Sequence, residues 1–236
     1  MNAAPSLRAP HTRPNPVAEG GGWCHNGSMT ALTSQPACAP PAGDAEVPSE
    51  PIYRLSVAQY HAIARAGILD EDAPVELLEG WLVRKMTKNP AHCLALGLVQ
   101  DALASLLPRG WHVKVQGSMT TADSEPEPDA AVVRGQRRDY KGRHPGAEDI
   151  ALVVEVADTS LRRDRGSKKR IYARAGIPVY WIVNLIARRI EVYTDPAGAG
   201  KRAQYRQHRD YGPSEAIPLL LDNVEVGSLE VQALLP

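Results

Sequence analysis

Apolar residues recur at helical spacing from residue 57 onward, after a segment that lacks any such pattern. One stripe falls on a single face of the expected helix: Val57, Tyr60, Ile63 and Ala64. Ser56 and Gln59 have the spacing of a capping box, and Gly67 follows the stripe as a stop signal. This pattern predicts an amphipathic helix at the start of the folded region.

A hairpin and a second helix are predicted next. The segment 74–86 contains two short apolar runs around Glu79-Gly80, which is typical of two strands joined by a tight turn. Helical spacing returns from Pro90 to Leu107. The apolar face that we expect on this second helix consists of Leu94, Leu98, Leu103, Leu106 and Leu107.

The rest of the chain predicts a sheet of short strands with one helix between them. Strands are expected at 111–116, 129–133, 149–157, 178–185, 189–194, 202–208 and 217–226. A helix is expected over 163–175, closed by Gly176. The fold class is therefore α/β, a mixed central β-sheet flanked by helices, with extra β-hairpins near both ends of the domain.

The composition divides the chain into a tail and one domain. Residues 1–51 hold nine of the twenty prolines and five glycines, so we predict that this tail is disordered and that the domain spans 52–236. Met29 is an alternative start of translation. Three cysteines without close spacing indicate neither a disulfide framework nor a zinc cluster, which favours a cytoplasmic protein. No run of 18 apolar residues occurs, so no membrane span is expected.

Net charge is zero, so contact with a polyanion has to come from local patches. Residues 161–174 contain seven Arg or Lys against one Asp, and residues 134–144 contain five against one Asp. Such patches attract a phosphate backbone without reading its sequence, although many charge runs are only solvated faces.

Two carboxylates stand out because each belongs to a predicted core strand. Glu155 lies inside the apolar run "ALVVEVA", and Asp129 opens the run "DAAVV". If these strands pair, the two acids converge on one hard cation such as Mg²⁺. The alternatives are a structural acid that pairs with an arginine for Glu155 and a turn or cap residue for Asp129.

A lysine on the following helix supplies a third group. Lys168 shares a face with Ile171, Tyr172 and Ala175, so it is predicted to point toward the sheet, whereas Lys169 and Arg170 are better placed for solvent. The alternative is a surface pair between Lys168 and Asp164, four residues earlier.

Two stretches carry a resemblance to a known family. "EPEPDAAVV" (125–133) and "HPGAEDIALVVEVADTSLRRDRGSKKRIYARAGIPVYWIVN" (144–184) resemble the Uma family of restriction endonucleases, within the PD-(D/E)XK nuclease superfamily. The resemblance covers residues 53–235 and implies a restriction-endonuclease-like core of helix, three strands, helix and strand. It also implies that Asp129, Glu155 and the carbonyl of Val156 bind Mg²⁺, for which Mn²⁺ could substitute. Ala157 stands where the usual lysine would be, so Lys168 takes that role.

Further site residues and partners follow from the same resemblance. Glu79 matches a family position and is an expected extra ligand, and His92 is either a site residue or a helix-start packing or capping residue. Asn184 and Val179 depart from the family pattern, which predicts altered surface pairing. The implied activity is metal-assisted hydrolysis of nucleic acid, with DNA as the expected substrate and a homodimer as a plausible assembly. A catalytically silent module that binds nucleic acid or a protein is the alternative.

Overall fold

The computed structural model describes residues 49–70 and 73–236. The predicted tail lies almost wholly outside these residues, as does Met29. Four α-helices are present among them, besides short 3-10 segments: α1 (Val57–Arg65), α2 (Pro90–Leu106), α3 (Leu161–Arg163) and α4 (Lys169–Ala175). The strands are β1 (Val75–Leu78), β2 (Trp81–Arg84), β3 (Trp111–Val115), β4 (Ala130–Arg134), β5 (Ile150–Ala157), β6 (Val179–Asn184), β7 (Arg189–Ala197), β8 (Gln204–Tyr211), β9 (Ala216–Leu221) and β10 (Val224–Glu230).

Six strands form the central sheet in the order β3-β4-β5-β6-β7-β8. Only β5 and β6 are parallel, and their crossover carries α3 and α4. The strands β1-β2 and β9-β10 form separate hairpins. The predicted mixed α/β sheet with an extra hairpin near each end is therefore confirmed. The single strand expected over 217–226 is wrong, because Asp222 and Asn223 adopt positive φ and turn the chain back.

Each face of the sheet has its own core. Side chains of α2 and of the β9-β10 hairpin cover one face, while α4, Leu78 and buried tyrosines cover the other. All eight residues of β5 are buried, as a strand covered on both faces requires. Glu155 alternates with Val154 and Val156 along β5, so its side chain belongs to the α4 face.

The buried face of α2 differs from the face that the sequence predicted. Leu94 is 54% exposed, and of the predicted residues Leu103 alone is buried, together with His92, Ala95, Leu96 and Val99. Apolar residues lie on most sides of this helix, so the leucine spacing alone could not identify the face that packs on the sheet. The capping box predicted for α1 is present, with Ser56 and Gln59 bonded reciprocally.

The turn of the β1-β2 hairpin is set by two residues of positive φ. Glu79 has φ 51° and Gly80 has φ 85°, which is the conformation of a two-residue type I′ turn. A Cβ atom on Gly80 would lie 2.7 Å from Cβ of Arg54. The Leu55 N–H donates to the Gly80 carbonyl at 2.9 Å, so the segment before α1 packs directly on this turn.

The helical crossover after β5 contains one wide turn. The predicted helix over 163–175 begins earlier, at Leu161, and residues Asp164–Lys168 form a π turn between α3 and α4. The Lys169 N–H donates to the Asp164 carbonyl, five residues back. Asp164 and Lys168 are buried by this turn, while Gly166 and Ser167 are only partly covered.

Candidate active site

Asp129 and Glu155 meet near the ends of two inner strands of the central sheet, β4 and β5. Ala130 of β4 pairs with Val154 of β5 in antiparallel register, so the next position along the ladder brings Asp129 opposite Glu155. The Val156 N–H donates to Oδ2 of Asp129 at 2.9 Å. Asp129 lies one residue before β4, and the pairing of β4 with β5 is what brings it to Glu155.

Three nitrogen groups surround the carboxylate of Asp129, one of which is the Val156 N–H. Nε2 of His92 lies 3.1 Å from its Oδ1, and Nζ of Lys88 lies 3.6 Å from the same oxygen. Burial raises the pKa of Asp129, but the His92 contact and the Val156 N–H outweigh it, and the net pKa is lowered. Asn89 caps α2 by accepting from the His92 N–H, which fixes His92 beside Asp129.

Glu155 has one occupied and one open carboxylate oxygen. Its Oε1 accepts from Nζ of Lys168 at 2.8 Å and from the hydroxyl of Tyr172 at 2.6 Å. Its Oε2 has no hydrogen-bond partner within the described ranges. Burial raises the pKa of Glu155 to about 8 although Lys168 opposes this shift. A second cation near Oε2 would favour the carboxylate form.

Lys168 points inward, as its spacing predicted, and its side chain is 4% exposed. Burial lowers the pKa of Lys168, but the charges of Glu155 and Glu76 outweigh burial and raise the net pKa. The side chain is therefore an ammonium. The alternative of a surface pair with Asp164 is wrong, because Asp164 is also buried and its carboxylate accepts from the Ser160 hydroxyl.

A third carboxylate in this group, Glu76 of β1, was missed from the sequence. Its Oε2 accepts from the Glu127 N–H at 3.1 Å and lies 3.6 Å from Nζ of Lys168. Glu76 is a buried acid inside an apolar strand, which is the same signal that identified Glu155. That signal was available in the sequence.

Glu79 lies away from Asp129, Glu155 and Lys168. Its carboxylate, at the hairpin turn, accepts from Nε and Nη2 of Arg170 at 2.9 and 2.6 Å and from Nη1 of Arg174 at 2.8 Å. It does not line the pocket that contains Asp129 and Glu155. The structure thus does not bring the predicted extra ligand to the other site residues. Arg170, which was expected in solvent, is half-buried by this network.

The side chains converge on a cavity that we call the acidic pocket. It is lined by the carboxylates of Glu76, Glu127, Asp129, Glu155, Asp158 and Asp164. Val156 also lines it, together with the basic groups of Lys85, Lys88, His92, Arg163 and Lys168. The cavity volume is about 50 Å³, whereas one water needs on the order of 10–15 Å³. Oxygen donors and this volume fit a small hard cation with some of its water.

A second cluster with ligand-like spacing involves Glu191, His208 and Asp210. Both oxygens of Glu191 are already used: Arg165 binds it through two nitrogens, and Asn184 and Tyr193 each donate to it. Glu191 is the buried member of the cluster, whereas His208 and Asp210 are more exposed, and a cation at Glu191 would have to displace Arg165. Asn184 is 1% exposed, so the surface pairing expected at this departure from the family pattern is wrong.

A six-stranded mixed sheet with buried acids and an inward lysine near the ends of its inner strands defines a restriction-endonuclease-like α/β protein. The chain belongs to the Uma2 family, described as "Putative restriction endonuclease", whose model matches residues 57–227. This confirms the family resemblance that the sequence carries. None of the curated proteins matches the chain.

A solved structure supports the fold. The chain is similar to the crystal structure of a "putative nuclease belonging to DUF820" from Anabaena variabilis ATCC 29413, with a TM-score of 0.55 and 14% sequence identity. The match covers 76% of this chain and 97% of the other. At this identity the likeness shows the fold alone. Within the described ranges, no helix is both long and apolar enough to cross a membrane.

Proposed function

We propose that this nuclease-family protein is a divalent-metal-dependent endonuclease that hydrolyses phosphodiester bonds of nucleic acid, with DNA as its substrate. The observation that carries the proposal is the convergence of Asp129, Glu155 and Lys168 on one polar cavity. Buried carboxylates that share a site repel each other unless a cation or a proton lies between them. Lys168 satisfies one oxygen of Glu155, and Oε2 is left for a further cation.

Asp129, Oε2 of Glu155 and the carbonyl of Val156 would hold the metal, and Glu76 could add a fourth oxygen donor. Mg²⁺ is the proposed ion, and Mn²⁺ would substitute for it because both accept oxygen ligands. When bound, such an ion lowers the pKa of a coordinated water and neutralises charge on the scissile phosphate.

The protein side chains position and stabilise the reacting groups. Because its pKa is raised, Lys168 remains an ammonium, which suits stabilisation of negative charge on the phosphate better than removal of a proton from water. His92 orients Asp129 through Oδ1, and Tyr172 orients Glu155 through Oε1. Such supporting contacts fix the ligand oxygens before an ion arrives.

One observation favours the alternative of a catalytically silent module. Lys168 already balances part of the charge of Glu155 and Glu76, so the pocket is electrostatically tolerable without a metal. A silent member of the family would bind nucleic acid or a protein with the same fold. A silent module that binds nucleic acid differs from the endonuclease in turnover, and one that binds a protein differs also in its partner.

A cleavage assay separates the two functions. The full chain is incubated with supercoiled plasmid and with single-stranded DNA, in Mg²⁺, in Mn²⁺ and in chelator. Wild type, Asp129→Asn and Glu155→Gln are compared with Glu225→Gln, which changes an exposed acid on β10. We expect metal-dependent nicking by wild type and Glu225→Gln only. Equal cleavage by all four proteins would refute the proposed site, and binding without cleavage by wild type would favour the silent module.

Three predictions go beyond what family membership supports and stay predictions. They are a cytoplasmic location, DNA rather than RNA as the substrate, and a homodimer that cuts both strands. The same assay with an RNA strand of matched sequence distinguishes the two substrates. Sedimentation of the full chain with and without duplex DNA tests the homodimer.

A further inference from the structure

A second cavity adjoins the acidic pocket, and we call it the basic hollow. Four residues line both cavities: Met86, Thr159, Ser160 and Arg163. The remaining walls of the basic hollow are Arg162, Gly166 and Ser167, and its volume is about 440 Å³. The two cavities are therefore neighbouring parts of one surface depression.

The two cavities differ in their charged groups. Six carboxylates and five basic groups line the acidic pocket, whereas the charged residues that line the basic hollow are two arginines, Arg162 and Arg163. A ligand that spans both cavities would place a metal-bound group in the acidic pocket and an anionic group in the basic hollow. A nucleic-acid strand bound to a metal has this character, because its phosphates are anions on a continuous chain.

The arginines of this helical segment divide into two groups. Arg165, Arg170 and Arg174 are each bonded to glutamate carboxylates on the far side of the segment. Arg162 is exposed and makes no ion pair or hydrogen bond with any residue that the structure describes. The arginines on the far side of the segment are thus paired with carboxylates, whereas Arg162, beside the acidic pocket, is unpaired within the described residues.

Arg163 is held in place with part of its guanidinium free. Its Nη1 donates to the Arg84 carbonyl at 3.0 Å and lies 3.7 Å from Glu76. Its Nε is buried without a partner. Nη2 of Arg163 makes no hydrogen bond with any residue that the structure describes, so it is the donor left for a phosphate oxygen, whereas the buried Nε is out of reach.

The π turn keeps the basic hollow open and polar. It places Gly166 and Ser167 on the outer side of the segment, opposite buried Lys168. A Cβ atom on Gly166 would have no neighbour within 4 Å, so open space lies beside this residue. The hydroxyls of Ser167 and Thr159 make no hydrogen bond within the described part of the chain and remain available as donors.

We propose that the basic hollow is a phosphate subsite that binds a backbone phosphate next to the scissile one, through Arg162, Arg163 and Ser167. The inference rests on the proposed function, because it assumes that the polymer whose bond reaches the acidic pocket is a nucleic acid. Phosphate contacts position a strand without reading its bases. The subsite therefore sets the register of the strand at the acidic pocket and adds no preference for a base sequence.

The test is equilibrium binding of a labelled DNA duplex to the full chain, without added divalent ions so that no cleavage intervenes. Wild type is compared with Arg162→Ala, Arg162→Lys and the control Arg109→Ala. Arg109 is also exposed, but it follows the C-terminal end of α2, roughly 25 Å along the helix from the His92 end. Binding is measured by fluorescence anisotropy over a series of salt concentrations.

Arg162→Ala is expected to weaken binding on the order of tenfold at low salt and to reduce the slope of log Kd against log salt by about 1. Arg162→Lys should keep the slope, because its charge is unchanged, and Arg109→Ala should change neither quantity. An unchanged slope in Arg162→Ala, an equal loss in Arg109→Ala, or no binding by wild type would overturn the subsite.

Cleavage by the same proteins in Mg²⁺ separates this proposal from the proposed function. If wild type cleaves but Arg162→Ala binds with an unchanged slope, the subsite is refuted and the hydrolysis stands. If binding depends on Arg162 but wild type never cleaves, the phosphate contact at Arg162 stands and the hydrolysis is refuted.

Discussion

Nζ of Lys168 lies 2.8 Å from Oε1 of Glu155, and each side chain is only 4% exposed. Removing one member of a buried ion pair leaves an uncompensated charge, which costs about 3–5 kcal/mol. Because burial raises the pKa of Glu155 to about 8, the acid takes up a proton when the lysine is removed, and the loss of stability is then smaller than that of a bare buried charge. The pair therefore links the stability of the domain to the charge state of the proposed site.

Lys168→Met should lower the free energy of unfolding by less than the ~3–5 kcal/mol of a bare buried charge, because Glu155 becomes protonated, and it should abolish cleavage. Lys168→Met combined with Glu155→Gln should recover part of the stability, because the unpaired acid is gone, but it should not cleave. Urea unfolding and the plasmid assay measure the two effects. Cleavage by Lys168→Met at the wild-type rate would show that the ammonium has no catalytic part.

Tyr172 is a positioning residue for Glu155. Tyr172→Phe removes the 2.6 Å hydrogen bond to Oε1, and we expect the Mg²⁺ concentration for half-maximal cleavage to rise on the order of tenfold or more. Tyr205→Phe is the matched control, because its buried hydroxyl donates to the Ile177 carbonyl. If both variants lose stability but neither shifts the Mg²⁺ dependence, Tyr172 is only a structural residue.

Glu79 should matter for stability and not for cleavage. Its hydrogen bond to Arg170 lowers the pKa of Glu79 to about 2 from 4.5. A carboxyl with a lowered folded-state pKa stabilises the fold above its unfolded pKa, and this contribution disappears as the pH falls from about 4.5 to about 2. Glu79→Gln should therefore be less stable than wild type at neutral pH, with a shallower loss of stability below pH 4.5.

Unfolding curves across this pH range measure the stability effect of Glu79→Gln, and the plasmid assay tests the second half of the statement. Folded Glu79→Gln should cleave at the wild-type rate. A folded variant that has lost cleavage would restore the ligand role predicted from the sequence.

Gly80 is required by both its conformation and its neighbours. An alanine there would have to adopt φ 85° and place its Cβ atom 2.7 Å from Cβ of Arg54. Gly80→Ala should cost about 1–3 kcal/mol of stability, measured by thermal unfolding. The control is Gly142→Ala, where an added Cβ meets no atom within 4 Å. Equal melting temperatures of the two variants would contradict this explanation of the turn.

The acids and the lysine could be predicted because strand and helix periodicity carries their orientation. A charge inside an apolar strand has to be compensated, and this identified Glu155. The spacing of Lys168 with Ile171 and Tyr172 indicated its inward direction, which the structure shows. The same reasoning applied to Glu76 would have completed the set, whereas family resemblance pointed to Glu79.

Other features depend on contacts that no local pattern reveals. Glu79 and Arg174 are 95 residues apart in the chain and meet only because the hairpin packs against α4. The face that α2 buries is decided by the sheet beneath it, since apolar residues cover most of the helix. The π turn inserts a wider turn into an otherwise helical pattern, and the regular spacing of 3.6 residues cannot predict it.

The central claim is that Asp129 and Glu155 jointly hold a divalent ion. Titration of the metal-free full chain with Mn²⁺, followed by calorimetry or by the paramagnetic resonance of free Mn²⁺, tests it without requiring turnover. Wild type and Glu225→Gln should show a saturable site, and Asp129→Asn and Glu155→Gln should each lose it while remaining folded. Saturable binding that is unchanged in Asp129→Asn and Glu155→Gln would contradict the account.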